Sequence, residues 1–460
     1  MEIFLIKALQ LILCFALLIV LHEGGHFLFA KLFKIRVEKF CLFFDPYFSL
    51  KLFSYKGTDY HLGWIPLGGY VKIAGMIDES MDTEQMKQPM KPDEFRAKPA
   101  WQRLLVMVGG VLVNFVTALV IYICILFTWG DSYIPVKNFT YGFKFNNEAK
   151  AIGFEDGDIL LRTDIAEFNR LDADFYRNLS EANTVTVLRS GAEVTFDLPQ
   201  DLSILNITDT KTIPPFITPL LPSIIDDVVE GTPAYVSGIQ KGDQLIAIDN
   251  VYFNTWNDFA LEMSKRKDIL STGTKNDSAQ LRNVTAIIQR ANSQQLDTLN
   301  MQLTADYQFG FLMKNAIAEY QQVTQNYSLV ESIPAGIQKG ISTLTGYVSD
   351  LKYVFTSDGA RKLGSFGTIG SLFPAEWDWQ RFWSLTAFIS LILAVMNILP
   401  IPALDGGHVL FLLVEIILRR KPSDTFMERA QMAGMFLLFS LMAIALFNDC
   451  SNFGVFDVFK

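Results

Sequence analysis

Charge, histidine and cysteine are all sparse in this chain. Asp, Glu, Lys and Arg make up 19% of the 460 residues, the balance is net −9, and no long basic run occurs. Such a chain lacks the electrostatic footprint of a nucleic-acid binder, so no nucleic-acid partner is expected. Its four cysteines, Cys14, Cys41, Cys124 and Cys450, are far apart. No disulfide framework and no Cys-type zinc site follows. Histidine also occurs only four times, as His22, His26, His61 and His408. Apolar residues are abundant instead, at 50%, with 13% aromatic. That is too apolar for an ordinary soluble chain and too polar for a bundle of spans alone. A membrane core carrying soluble domains is expected.

Four apolar stretches reach the roughly 20 residues a bilayer demands: about Leu5–Phe29, Leu104–Phe127, Phe382–Leu399 and Ala433–Phe447. A fifth, Val409–Leu418, is too short to span and ends at Arg419-Arg420-Lys421. The first run has no small-residue cleavage site, so it reads as a retained span. Basic residues mark the cytoplasmic side. Lys31, Lys34, Arg36 and Lys39 follow the first span, Lys98 and Arg103 precede the second, and Arg419, Arg420, Lys421 and Arg429 lie between the third and fourth. The region 130–380 and both termini then lie outside, which in a bacterium is the periplasm.

That outer region repeats itself. Gly153-Phe154-Glu155-Asp156-Gly157-Asp158-Ile159-Leu160 recurs as Gly238-Ile239-Gln240-Lys241-Gly242-Asp243-Gln244-Leu245, the later copy preceded by Gly231-Thr232-Pro233-Ala234. The glycines supply turn conformations that other residues resist. The pattern resembles PDZ domains of the bacterial protease-associated kind. Apolar residues at helical spacing from Ile333 to Phe355 predict an amphipathic helix, on the membrane surface or against a PDZ unit. Gly364–Gly370 predicts a flexible or tightly turned stretch.

Within the first span stands His22-Glu23-Gly24-Gly25-His26. On a helix this H-E-x-x-H spacing puts two imidazoles on one face, able to share a zinc ion, with a glutamate beside them as general base for an attacking water. Each glycine costs a helix roughly 1 kcal/mol relative to alanine, so both point to close packing or to room for substrate. A catalytic zinc needs a third protein ligand and an open position. Candidates are His61, His408, Glu38 and Asp405. Asp405 is the strongest, in Asn397-Ile398-Leu399-Pro400-Ile401-Pro402-Ala403-Leu404-Asp405-Gly406-Gly407. An ionisable group at membrane depth costs about 2.5–3.5 kcal/mol on insertion scales and demands a partner. The prolines break the helix and the glycines allow close backbone approach.

These two motifs together resemble the site-2 protease family of intramembrane zinc metalloproteases. Four spans with a PDZ pair between the second and third are similar to its bacterial sigma-E-pathway branch. The resemblance implies a helical membrane protein of four transmembrane helices and a membrane-associated β-hairpin, with two extracytoplasmic PDZ-like (α+β) domains. One zinc per chain would be bound by His22, His26 and Asp405, with Glu23 as the catalytic glutamate. Asn397 would hold the substrate backbone or the oxyanion, with Pro400 and Pro402 beside it. His61–Val71 is similar to the family's membrane-dipping hairpin, where an edge near Gly68 and Gly69 would pair with an unwound substrate. Gly110-Val111-Leu112-Val113-Asn114 resembles a G-P-x-x-N element with Val111 in place of proline, and makes Asn114 a further substrate-side candidate. Gly364–Gly370 departs from the family's L-x-G-P-x-G-I-A segment at Ser365 and Phe366.

The implied organisation is a first membrane half at 1–130, PDZ-like domains at 131–215 and 216–310, connecting helices at 311–380, and a second membrane half at 381–460. The implied activity is cleavage of single-span membrane proteins, anti-sigma factors or signal-peptide remnants, already trimmed by an upstream site-1-type protease. The PDZ pair would exclude bulky outer domains, and the zinc site would lie toward the cytoplasmic side of a bacterial inner membrane. A non-catalytic PDZ scaffold and a zinc transporter or sensor are the rival classes. A scaffold needs no complete ligand set, and a transporter needs more polar spans than these.

Overall fold

The computed structural model describes residues 2–453, apart from 67, 77–87, 210, 211, 213, 273–280, 292, 294, 305 and 355. Leu67 of the expected hairpin and Phe355 of the expected amphipathic helix therefore lie outside the described residues. So do parts of both expected PDZ-like domains.

One compact unit comprises Met1–Asp131 with Gln325–Lys460. Among the described residues, four of its helices are long and apolar enough to cross a membrane: α1 (Glu2–Leu32), α2 (Ala100–Trp129), the helix Trp379–Ile398, and Thr425–Asn452 within the helix Asp424–Asn452. Many of their large apolar side chains face outward, among them Phe4, Leu28, Phe436 and Phe447. That is how a helix meets lipid, where the solvent is as apolar as its side chains. One glycine pair, Gly25 and Gly109, sets the crossing of α1 and α2. A Cβ on Gly25 would lie 2.6 Å from the Gly109 carbonyl carbon, and one on Gly109 would lie 2.8 Å from the Gly25 oxygen. Gly24 has nothing near it.

The cytoplasm-assigned loop is not built as expected. It forms a four-stranded sheet of β1 (Val37–Leu42), β2 (Leu50–Tyr55), β3 (Thr58–Leu62) and β4 (Tyr70–Ile73), in the order β2-β3-β1-β4. β1 pairs parallel to β3 and antiparallel to β4. His61–Val71 is thus not a hairpin but a crossover over β1, ending in the edge strand β4. The hairpin is β2–β3, turning at Lys56-Gly57, both at positive φ, as a two-residue hairpin loop requires.

A third helix, α3 (Leu329–Val354), corrects the surface-helix expectation. It lies along α2: Gly336 meets Ile123, Gly340 meets Leu119, and Leu344 packs in a cluster with Phe115. Residue numbers rise on one helix as they fall on the other, so the pair is antiparallel. The glycines sit four apart, the small-residue spacing that brings membrane helices together. Phe366–Leu372, α4, is helical rather than a flexible turn. Asp449 caps its start, accepting Ser365 N–H at 3.1 Å, Ser365 Oγ at 2.5 Å and Thr368 N–H at 3.1 Å.

After α4 come α5 (Trp379–Ile398), α6 (Asp405–Leu418) and α7 (Asp424–Asn452). Between α5 and α6 the chain reverses through Pro400 and Pro402, with Ala403 at φ 81°. A left-handed alanine is strained. Gly407 abuts Ile401 O and Pro402, and Gly434 of α7 abuts Pro402 O, so this reversal is packed from both sides.

Ser132–Thr324 is a second compact unit. It holds two separate apolar cores, one around Phe143, Phe154 and Phe175, the other around Leu245, Phe259 and Phe309. The repeated turn is built identically in both. Asp158 Oδ2 accepts Glu155 N–H at 2.9 Å, and Asp243 Oδ2 accepts Gln240 N–H at 2.9 Å. Arg189 donates to Asp158 Oδ2 at 2.8 Å and Gly153 O at 2.7 Å; Arg290 donates to Asp243 Oδ2 at 2.8 Å and Gly238 O at 2.7 Å. Gly157 and Gly242 hold φ at 96° and 89°.

Candidate metal centre and active site

Two successive turns of α1 bring the imidazoles of His22 and His26 together, edge to face, with centroids 4.8 Å apart. Their Nε2 atoms are 3.3 Å apart. Asp405, the first residue of α6, brings its Oδ2 to 3.2 Å from His22 Nε2 and 3.3 Å from His26 Nε2. The three atoms form a nearly equilateral triangle. An ion bound tetrahedrally at about 2.0–2.1 Å separates its ligand atoms by about 3.3–3.4 Å. Among the described residues this is the cluster of His, Cys, Asp or Glu arranged to hold a metal.

The donor chemistry fits a cation. His26 Nδ1 faces Val106 O at 2.8 Å. A carbonyl only accepts, so Nδ1 carries the proton and Nε2 presents a lone pair. Asp405 Oδ2 is buried without a hydrogen-bond donor. Lone pairs converging with no proton between them repel unless a cation sits at their focus, and a borderline-soft divalent ion with N and O ligands suits the set.

Glu23, Asn397 and His408 line the same cavity, of about 340 Å³. Gly68, Gly69 and β4 form one wall, and Phe366 of α4 another. Asn397 Nδ2 lies 3.4 Å from His22 Nε2. Asn114, fully buried on α2, lies with its Nδ2 3.3 Å from His22 Nδ1. A Cβ on Gly110 would fall 2.7 Å from the His22 ring, so α2 is bare where the imidazoles press on it.

Other candidates are elsewhere. His61 bonds Ser49 Oγ through Nδ1 at 2.9 Å, out on the sheet. Glu38 pairs with Arg36 at 2.5 Å. His408 reaches the cavity but is not in the triangle. Pro400 is exposed and Pro402 packs toward Gly434; neither lines the cavity. Sequence reasoning missed Val106, whose contribution is a backbone carbonyl without a side-chain signature. It also missed Ser390, buried on α5, which donates to Asn114 O at 2.8 Å.

The model of peptidase family M50 matches residues 10–441. The chain belongs to this family. Similar proteins include the Regulator of sigma E protease of Haemophilus influenzae, 27% identical over 95% of this chain and 97% of that one. Protease RseP of Yersinia pestis is 27% identical over 96% and 97%. A Vibrio cholerae protein bearing the name "Putative zinc metalloprotease" is 24% identical over 95% and 97%. As an M50 peptidase with four apolar spanning-length helices, the chain is a multi-pass membrane protease.

Proposed function

We propose that this chain is a zinc-dependent intramembrane endopeptidase acting on single-span membrane proteins that another protease has already trimmed. His22, His26 and Asp405 hold one zinc ion per chain. When bound, the ion supplies a Lewis acid for a peptide carbonyl and makes a water easier to deprotonate. Glu23 takes the proton of the attacking water as its oxygen bonds to the carbonyl carbon, and returns it to the amide nitrogen as the C–N bond breaks. The Asn397 amide donates to the carbonyl oxygen as charge builds on it. A helical substrate hides its carbonyls in its own hydrogen bonds. Adding an unwound segment as a fifth strand beside β4, over Gly68 and Gly69, offsets the bonds lost on unwinding.

The observation that carries this reading is the triangle of three acceptor atoms with edges of 3.2–3.3 Å. The names of the sigma-E and zinc metalloprotease relatives support it. We further assign the duplicated unit at 132–324 to two PDZ-like domains that exclude bulky substrates. That unit and both termini lie outside a bacterial inner membrane, with the zinc toward the cytoplasm. Purified Glu23→Gln is expected to retain zinc and lose cleavage of a single-span substrate. Wild-type turnover by that variant overturns the assignment.

A further inference from the structure

His22 stands in a hydrogen-bonding conflict that one side chain can resolve. A neutral imidazole carries one N–H and one lone pair. Both ring nitrogens of His22 face amide nitrogens: Nδ1 faces Asn114 Nδ2 at 3.3 Å, and Nε2 faces Asn397 Nδ2 at 3.4 Å. An amide nitrogen only donates, and with the Nε2 lone pair committed to the triangle with Asp405 Oδ2 at 3.2 Å, the His22 proton sits on Nδ1, so two N–H groups face each other there. Asn114 is fully buried, and its Oδ1 has no donor. Oxygen and nitrogen of an amide are nearly isosteric, and their assignment rests on the hydrogen-bond network. Turning the Asn114 amide by half a turn brings Oδ1 to His22 Nδ1 and moves the NH2 to the oxygen's former place.

We infer that Asn114 is a positioning residue whose Oδ1 accepts the Nδ1–H of His22, fixing the tautomer that aims the Nε2 lone pair into the triangle with His26 and Asp405. This rests on the zinc reading above, and replaces the substrate-side role expected of Asn114. It makes the two imidazoles equivalent. His26 gives its Nδ1–H to Val106 O at 2.8 Å, and His22 gives its own to Asn114. Both acceptors belong to α2, eight residues apart on one face, with Gly110 midway. Ser390 holds that stretch of α2 by donating to the Asn114 carbonyl at 2.8 Å.

The test is zinc affinity of the full-length purified protein, by competition with a chromophoric chelator, for wild type, Asn114→Asp and Asn114→Leu. Losing the acceptor is expected to weaken zinc binding about 10- to 100-fold in Asn114→Leu. Asn114→Asp keeps an oxygen at Nδ1 and is expected to stay within a few-fold of wild type. A purely structural role would make both variants equally poor, and a substrate-side role would raise KM with zinc affinity unchanged; either result overturns the inference. Should Asn114→Leu fail to fold, Asn114→Asp decides alone, since a tenfold loss there also overturns it. Wild-type protein that binds no zinc would sink the underlying reading instead.

Discussion

Gly24 and Gly25 sit side by side in one motif, and the structure separates them completely. A methyl group on Gly25 would lie 2.6 Å from the Gly109 carbonyl carbon and 2.8 Å from Gly110 N. Both are backbone atoms that cannot swing aside, so α1 and α2 must part by roughly 0.8 Å or more to reach ordinary contact. Overpacking of this kind costs about 1–3 kcal/mol, partly offset by about 1 kcal/mol of helix propensity. The larger effect falls on the site. Val106 O lies 2.8 Å from His26 Nδ1, and a displacement of that size takes the pair beyond about 3.5 Å, where the bond is lost. Gly25→Ala is therefore expected to weaken zinc binding by about tenfold or more. Gly24→Ala meets open space and is expected to leave zinc affinity unchanged, with thermal stability equal or slightly higher. Chelator competition and a thermal unfolding midpoint on the two purified variants measure both effects. Equal behaviour of the two refutes the packing argument.

Asp405→Ala is expected to strip zinc from the protein on dialysis, read by elemental analysis; full occupancy would favour His408, which lines the same cavity. Arg290→Ala leaves Asp243, 2% exposed at its side chain, without its ionic partner. The expected loss is about 3 kcal/mol of stability in the second apolar core, visible as a lowered unfolding midpoint; an unchanged midpoint contradicts the clamp. Burial alone would raise the pKa of Asp156, but hydrogen bonds from Lys144, Lys150 and the Phe145 N–H outweigh it and hold the carboxyl below its ordinary range. Its stabilisation is thus complete above the ordinary Asp pKa of about 4 and lost as pH falls from there through its lowered folded-state pKa. Unfolding midpoints should drop on acidification, less steeply in Asp156→Asn, and an identical slope counts against the network. Deleting 132–324 is expected to admit untrimmed substrate, scored by cleavage of a reporter with an intact outer domain; a persistent need for trimming refutes the size filter.

The convergence of His22, His26 and Asp405 was legible where residue type and spacing carry it. His22 and His26 fall on one helical face by count alone, and Asp405 in an apolar neighbourhood demanded a partner. What escaped depends on contacts distant in sequence. β1 lies between β3 and β4, so His61–Val71 resembles a hairpin in turn chemistry but crosses over a strand already passed. Arg189 and Arg290 clamp equivalent aspartates from 31 and 47 residues away, and no fixed offset reveals them. The placement of α3 did leave a trace, Gly336 and Gly340 four apart, which the apolar stripe of the same helix obscured.

The departure at Val111 follows from the same geometry. Val106, Gly110 and Asn114 recur every four residues and present one face to the histidines. That face offers a carbonyl, an absent side chain and an amide. Gly110 is compelled, because any Cβ there would strike the rings. Val111 is rotated about 100° from Gly110 around the helix and lies off that face, so the site makes no demand on it. The demand on α2 is a bare, hydrogen-bonding surface against which two imidazoles fix their protons outward and their lone pairs inward.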